Sequence, residues 1–116
     1  MKNEILAHLH DIAHAGRAVK EFLLKRTFEE YSANELLRSA VERKFEVIGE
    51  ALNRIRDDEP EILYQIRNYR DIVSFRNILV HGYDTIDDRI VWNIIETDLD
   101  NLIEDVEKFL KSSSRS

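Results

Sequence analysis

An all-α fold, an antiparallel bundle of four to five helices, is predicted by three observations. Apolar residues recur at alternating spacings of three and four along three long stretches. Only three glycines and one proline punctuate 116 residues, whereas a sheet protein of this size needs more turn residues. The composition, 43% hydrophobic and 34% charged, suits amphipathic helices around one core. This length supports one helical domain, expected over residues 1–111, and leaves no room for a second module.

Taken in order, Ile5, Leu9, Ile12, Gly16, Val19 and Leu23 form a seam along a first helix from about Lys2 to Arg26. Thr27–Tyr31 reads as a connection. Ser32 and Glu35 fit a capping box, in which hydroxyl and carboxylate each satisfy a free backbone amide at a helix start. The seam of that second long helix runs through Leu37, Val41, Phe45, Ile48, Leu52 and Ile55, and acidic residues before Pro60 close it. Pro60 suits the first turn of a short helix bearing Ile62, Leu63 and Ile66. A further helix is expected from about Asp71 to His81, stopped by Gly82, which takes the left-handed conformation readily. Polar residues 84–88 offer caps for a last long helix with Val91, Ile95, Leu99, Leu102, Val106 and Phe109 on one face. Ser112–Ser116 has nothing to bury and is expected to be a disordered tail.

Several kinds of function are excluded or disfavoured. Without cysteine there are no disulfides, thiolate nucleophiles or cysteine-based zinc sites. No apolar run approaches the roughly 18 residues of a membrane span, and the N-terminus lacks an apolar signal core, so a cytoplasmic protein without membrane association is expected. A net charge of −6 disfavours a broad basic surface for duplex nucleic acid. Locally the balance reverses: between Tyr64 and Tyr83 stand Arg67, Arg70 and Arg76 against Asp71 alone. His10 and His14, one turn apart, could share a metal, but no third ligand is evident and a solvated helix face is the expected reading. No metal or cofactor is expected.

That basic stretch ends in the cluster with most chemical potential, Arg76-Asn77-Ile78-Leu79-Val80-His81-Gly82-Tyr83. At about 100° per residue, Arg70, Ser74, Asn77 and His81 fall within roughly 60° and make a polar stripe. Arg76 lies instead on the apolar arc, between Ile72 and Val80, where a charge needs a partner. That partner is either an internal carboxylate, with Glu46, Glu50 and Asp98 as candidates, or a phosphate from outside. His81 could simply complement a helix C-terminus, and Tyr83 could be a core or interface aromatic. Five residues apart, Arg76 and His81 point about 140° away from each other on one helix. Two copies about a twofold axis would place the histidine of one beside the arginine of the other, which makes a homodimer a mechanistic expectation.

At these residues the chain resembles the HEPN superfamily, in particular its HepT-like branch of prokaryotic toxins, whose pattern is Arg-x4-His-x-Tyr with a polar residue after the arginine. Arg76, Asn77, His81 and Tyr83 match each position, and the helix order agrees over nearly the whole chain. The resemblance implies a HEPN-like bundle and a metal-independent endoribonuclease toxin acting as a homodimer, with a minimal nucleotidyltransferase as antitoxin and RNA as substrate. It implies that Arg76 and His81 are catalytic, with Asn77, Arg70 and Ser74 binding or orienting substrate. Tyr83 would be the residue that the antitoxin adenylylates. A non-catalytic helical subunit that binds nucleotide or substrate within a nucleotidyltransferase complex is the alternative.

Overall fold

The structure, a computed structural model, describes residues 2–80 and 87–114. In order, its helices are α1 (Asn3–Phe22), α2 (Phe28–Ala33), α3 (Glu35–Asp58), α4 (Pro60–Leu63), α5 (Tyr69–Val80), α6 (Asp88–Thr97) and α7 (Leu99–Ser114). No strand occurs among the described residues, so the fold is all-α, as the periodicity predicts. Helix α3 is the spine, with α1 packed along one side and α5 along another, while α7 covers α1. Lys20 pairs with Asp100 and Arg17 with Glu107, a pairing order that sets α1 and α7 antiparallel.

All the large seam residues of α1 and α3 are buried, from Ile5, Leu9 and Ile12 to Phe45, Ile48 and Ile55. At about 25 cal/mol per Å² of apolar surface removed from water, these faces supply most of the drive to fold. Phe45 and Phe75 meet edge to face at 5.4 Å and tie α5 to α3. Trp92 of α6 packs against Phe28 and Tyr31 of α2, so the short α2 anchors the far end of the bundle. Burial, and then the charges of Glu42 and Asp88, push the Tyr31 hydroxyl far above its ordinary range. It therefore remains neutral.

Local chemistry shifts several expected boundaries. Helix α1 ends at Phe22, four residues before Arg26, because Lys25 turns the chain with a φ of 63° and Arg26 Nε caps the Phe22 carbonyl. Residues 27–31, read as a connection, instead begin α2, and the capping box belongs to Thr27 and Glu30. Ser32 lies inside α2, where its hydroxyl donates to Asp88 of α6 at 2.9 Å. Asn34 caps α3 by accepting from the Leu37 amide. Pro60 does open a short helix, and Asp87 caps α6.

The last long helix is two helices meeting at Asp98. The ladder continues across the junction, from Asp98 N to Ile94 O and from Leu102 N to Asp98 O, so the apolar seam is kept. Thr97 bonds back to the Asn93 carbonyl, and the buried Asp98 carboxylate accepts from Asn68. Burial raises the Asp98 carboxyl above the usual carboxylate range. Asn68, which holds a φ of 65°, turns the chain into α5 while making that bond. Helix α7 runs on through Ser114, so Ser112–Ser114 extend it rather than forming a loose tail. The expected helix stop at Gly82 lies outside the described residues, as do positions 115–116. Among the described residues, no helix is long and apolar enough to cross a membrane.

Arg67 supplies the strongest polar tie. Its guanidinium and backbone amide both donate to Asp105 of α7, with three contacts of 2.9–3.0 Å, and Glu104 lies 3.4 Å away. Burial alone would raise the Asp105 carboxyl, but the hydrogen bonds and charge of Arg67 outweigh it and hold the group below its ordinary range. A depressed carboxyl adds stability that is complete above its unfolded pKa and is lost as pH falls through the folded one. Glu42 and Asp98 are shifted upward, so a difference measurement isolates Asp105. Asp105→Asn should destabilise the fold by about 1–3 kcal/mol at neutral pH. Thermal melts of both proteins should converge as pH drops below about 4; a gap that persisted in acid would rule out the ionic contribution.

Candidate functional site

The candidate site is built on α5, and its position follows from one contact with α3. Ile72 and Phe75 turn the apolar arc of α5 into the core. Arg76 follows on the same arc, where its aliphatic stem lies against Gly49. A Cβ built at Gly49 would stand 2.3 Å from both Cβ and Cγ of Arg76, well inside contact distance. Glycine inside a helix costs about 1 kcal/mol relative to alanine, and here it lets two backbones approach around an arginine stem.

Beyond Gly49 the guanidinium reaches a groove of about 420 Å³ where α1, α3 and α5 converge. Arg43, Glu46, Glu50 and Arg54 line it from α3, with His8 and Asp11 from α1. Arg76 Nη2 donates to Glu50 Oε2 at 2.7 Å, and the other oxygen of Glu50 lies 3.3 Å from Arg54 Nε. Of the three carboxylates the sequence left open, Glu50 is thus the internal partner. Asp98 is engaged by Asn68, and Glu46 pairs with Arg43. The pairing satisfies the charge of Arg76 within the chain, so its place on the apolar arc does not by itself demand an outside anion. Arg76 Nε is buried without a hydrogen-bond partner among the described residues.

Arg70, Ser74 and Asn77 lie on the exposed side of α5, as the expected polar stripe requires. Arg70 and Ser74 line a different groove, of about 330 Å³, so within one chain they do not share a cavity with Arg76. His81 and Tyr83 lie outside the described residues. His10 and His14 are exposed on α1. No group of three metal-ligating side chains occurs among the described residues. The local excess of arginine is partly internal, since Arg67 is bound to Asp105. Sequence reasoning missed Gly49, whose signal was a glycine in the middle of a 24-residue helix. It also missed the contribution of Arg43 and Arg54 to the groove that Arg76 enters.

The described residues form an all-α bundle in which Arg76 of α5 enters a groove lined by α1 and α3. The chain belongs to the ribonuclease HepT-like family, whose model matches residues 12–109. A candidate RNase of Methanocaldococcus jannaschii is 34% identical over 91% of this chain and 96% of its own length. A candidate ribonuclease HepT of Thermococcus cleftensis is 32% identical over 96% of this chain and 100% of its own. A third relative, a candidate RNase of Caldanaerobacter subterraneus, is 28% identical over 78% of this chain and 84% of its own. No solved structure matches the chain significantly.

The close approach at Gly49 has a measurable consequence. Gly49→Ala gains helix propensity, yet its methyl meets the fixed Cβ of Arg76 as well as the movable Cγ, so the helices must separate. The variant should be destabilised by about 1–3 kcal/mol in urea titrations. Unchanged or raised stability would show that α3 and α5 do not meet there.

Proposed function

We propose that the protein is a metal-independent endoribonuclease toxin, and that a homodimer assembles its active site. The observation that carries this reading is the family membership joined to an intact motif, with Arg76 held by Gly49 and Glu50 at the mouth of a groove. In the reaction, His81 accepts the proton of an RNA 2′-hydroxyl as that oxygen attacks the neighbouring phosphorus. The P–O bond to the 5′-oxygen breaks, and the leaving oxygen takes a proton, so the products carry a 2′,3′-cyclic phosphate and a 5′-hydroxyl. Arg76 stabilises the charge that builds on the phosphoryl oxygens. Asn77, one turn before His81 on the polar stripe, holds substrate or orients the ring, while Arg70 and Ser74 guide the strand.

Spacing supports the dimer: on a continuous helix residues five apart point about 140° away from each other, and two copies face to face would bring the arginine of one beside the histidine of the other. Glu50 then acts as a resident anion that keeps the guanidinium extended until phosphate replaces it. A minimal nucleotidyltransferase antitoxin silences the site by adenylylating Tyr83, which puts a bulky anion where the substrate phosphate must enter. A second reading, a non-catalytic subunit of a nucleotidyltransferase complex, is favoured by the Arg76–Glu50 pair, because a satisfied arginine needs no substrate.

Two experiments decide between them. His81→Ala should lower the RNA cleavage rate by at least about 100-fold in the presence of chelator, with an unchanged melting curve. Cleavage that survives this change, or no cleavage by unmodified wild-type protein, would sink the ribonuclease reading. Incubation with the nucleotidyltransferase and ATP should add one or more AMP units to peptides containing Tyr83, read by mass spectrometry. Tyr83→Phe should remain toxic in the presence of the partner.

A further inference from the structure

On the exposed side of α5, away from the Arg76 groove, Arg56, Tyr69, Arg70 and Ser74 surround a groove of about 330 Å³. Its lining contains two arginines and no carboxylate, in a chain of net charge −6. The four other grooves described on this molecule each include at least one acidic side chain. Arg56 and Arg70 are both exposed, and Arg56 Nε forms an exposed ion pair of 3.7 Å with the neighbouring Asp57. Tyr69, half-buried against the core, shares the groove with both arginines: the guanidinium of Arg70 stands 5.7 Å from the centroid of Tyr69 and donates from Nε to its hydroxyl at 3.1 Å.

We propose that this groove is a subsite for one nucleotide of single-stranded RNA, with the base stacked on Tyr69 and its flanking phosphates held by Arg56 and Arg70. The proposal rests on RNA being the substrate, as read above. An aromatic face beside paired cations is the arrangement by which proteins hold single strands without reading sequence, because every base has a π-face and every link a phosphate. A volume of about 330 Å³ suits one small ligand and not a duplex. The groove is also in line with the motif. Ser74 precedes Asn77 by three residues, about 4.5 Å of helix rise, and both are exposed, so the groove adjoins the motif on the same side of α5. Arg56 extends the site onto α3, and neither it nor Tyr69 belongs to the motif.

Binding of a fluorescein-labelled 2′-O-methyl oligouridine, which cannot undergo 2′-attack, tests this by anisotropy on the purified wild-type protein and variants. Arg56→Ala and Arg70→Ala should each weaken binding several-fold and reduce the salt slope by about 0.7, the release expected for one phosphate of a single strand. Tyr69→Leu should weaken binding at least about fivefold, whereas Tyr69→Phe, which keeps the ring, should bind like wild type. Melting curves confirm that each variant is folded. With unmodified RNA, the arginine variants should raise KM and leave kcat near the wild-type value. If wild type cleaves RNA but these variants bind and cleave as it does, the subsite is wrong and the ribonuclease reading stands. Should Tyr69→Leu bind normally while the arginine variants do not, the groove is a charge patch and base stacking is overturned. A wild-type protein that neither binds nor cleaves RNA overturns both.

Discussion

Contact between the Arg76 stem and the backbone of α3 at Gly49 determines where the only charge on the buried arc of α5 can go. The edge-to-face contact of Phe45 with Phe75 and the burial of Ile72 press the two helices together, and a glycine is what lets them meet at this level. Once the stem is trapped, the guanidinium has one exit, towards Glu50 and the groove shared with α1. The packing of two helices and the position of a candidate catalytic group are therefore the same contact. Selection on one acts on the other.

The long seams were legible because burial leaves a direct mark on sequence: residues at three- and four-fold spacing in α1 and α3 are those at the core. Cap assignment failed for a different reason. Thr27 with Glu30 and Ser32 with Glu35 are two neighbouring patterns of the same form. What separates them is Asp88, fifty-six residues away, which takes the hydroxyl of Ser32. The junction at Asp98 was hidden for a related reason, since the ladder continues across it and the apolar spacing is preserved. The hydrogen bond that Asn68 donates to Asp98 there comes from another part of the chain.

Arg76 was conspicuous because a charge on an apolar arc violates the pattern, and that signal needs no tertiary information. Its partner was not readable, since Glu46, Glu50 and Asp98 were equally plausible by type and only packing chooses among them. Gly49 was visible as a glycine in mid-helix, but its meaning depends on a residue twenty-seven positions later. The divergence of Arg76 from the Arg70–Ser74 stripe, by contrast, follows from the helical repeat alone, and the two separate grooves agree with it.

The cationic groove beside Tyr69 sits on an acidic molecule, and this has a kinetic meaning for any RNA strand that uses it. At distances comparable to a Debye length the strand meets net negative charge and is repelled; within contact range it meets arginines. Added salt should then speed arrival while shortening residence. A protein built this way gains nothing from long-range attraction to the bulk of cellular RNA, and its selectivity lies in the encounters that last.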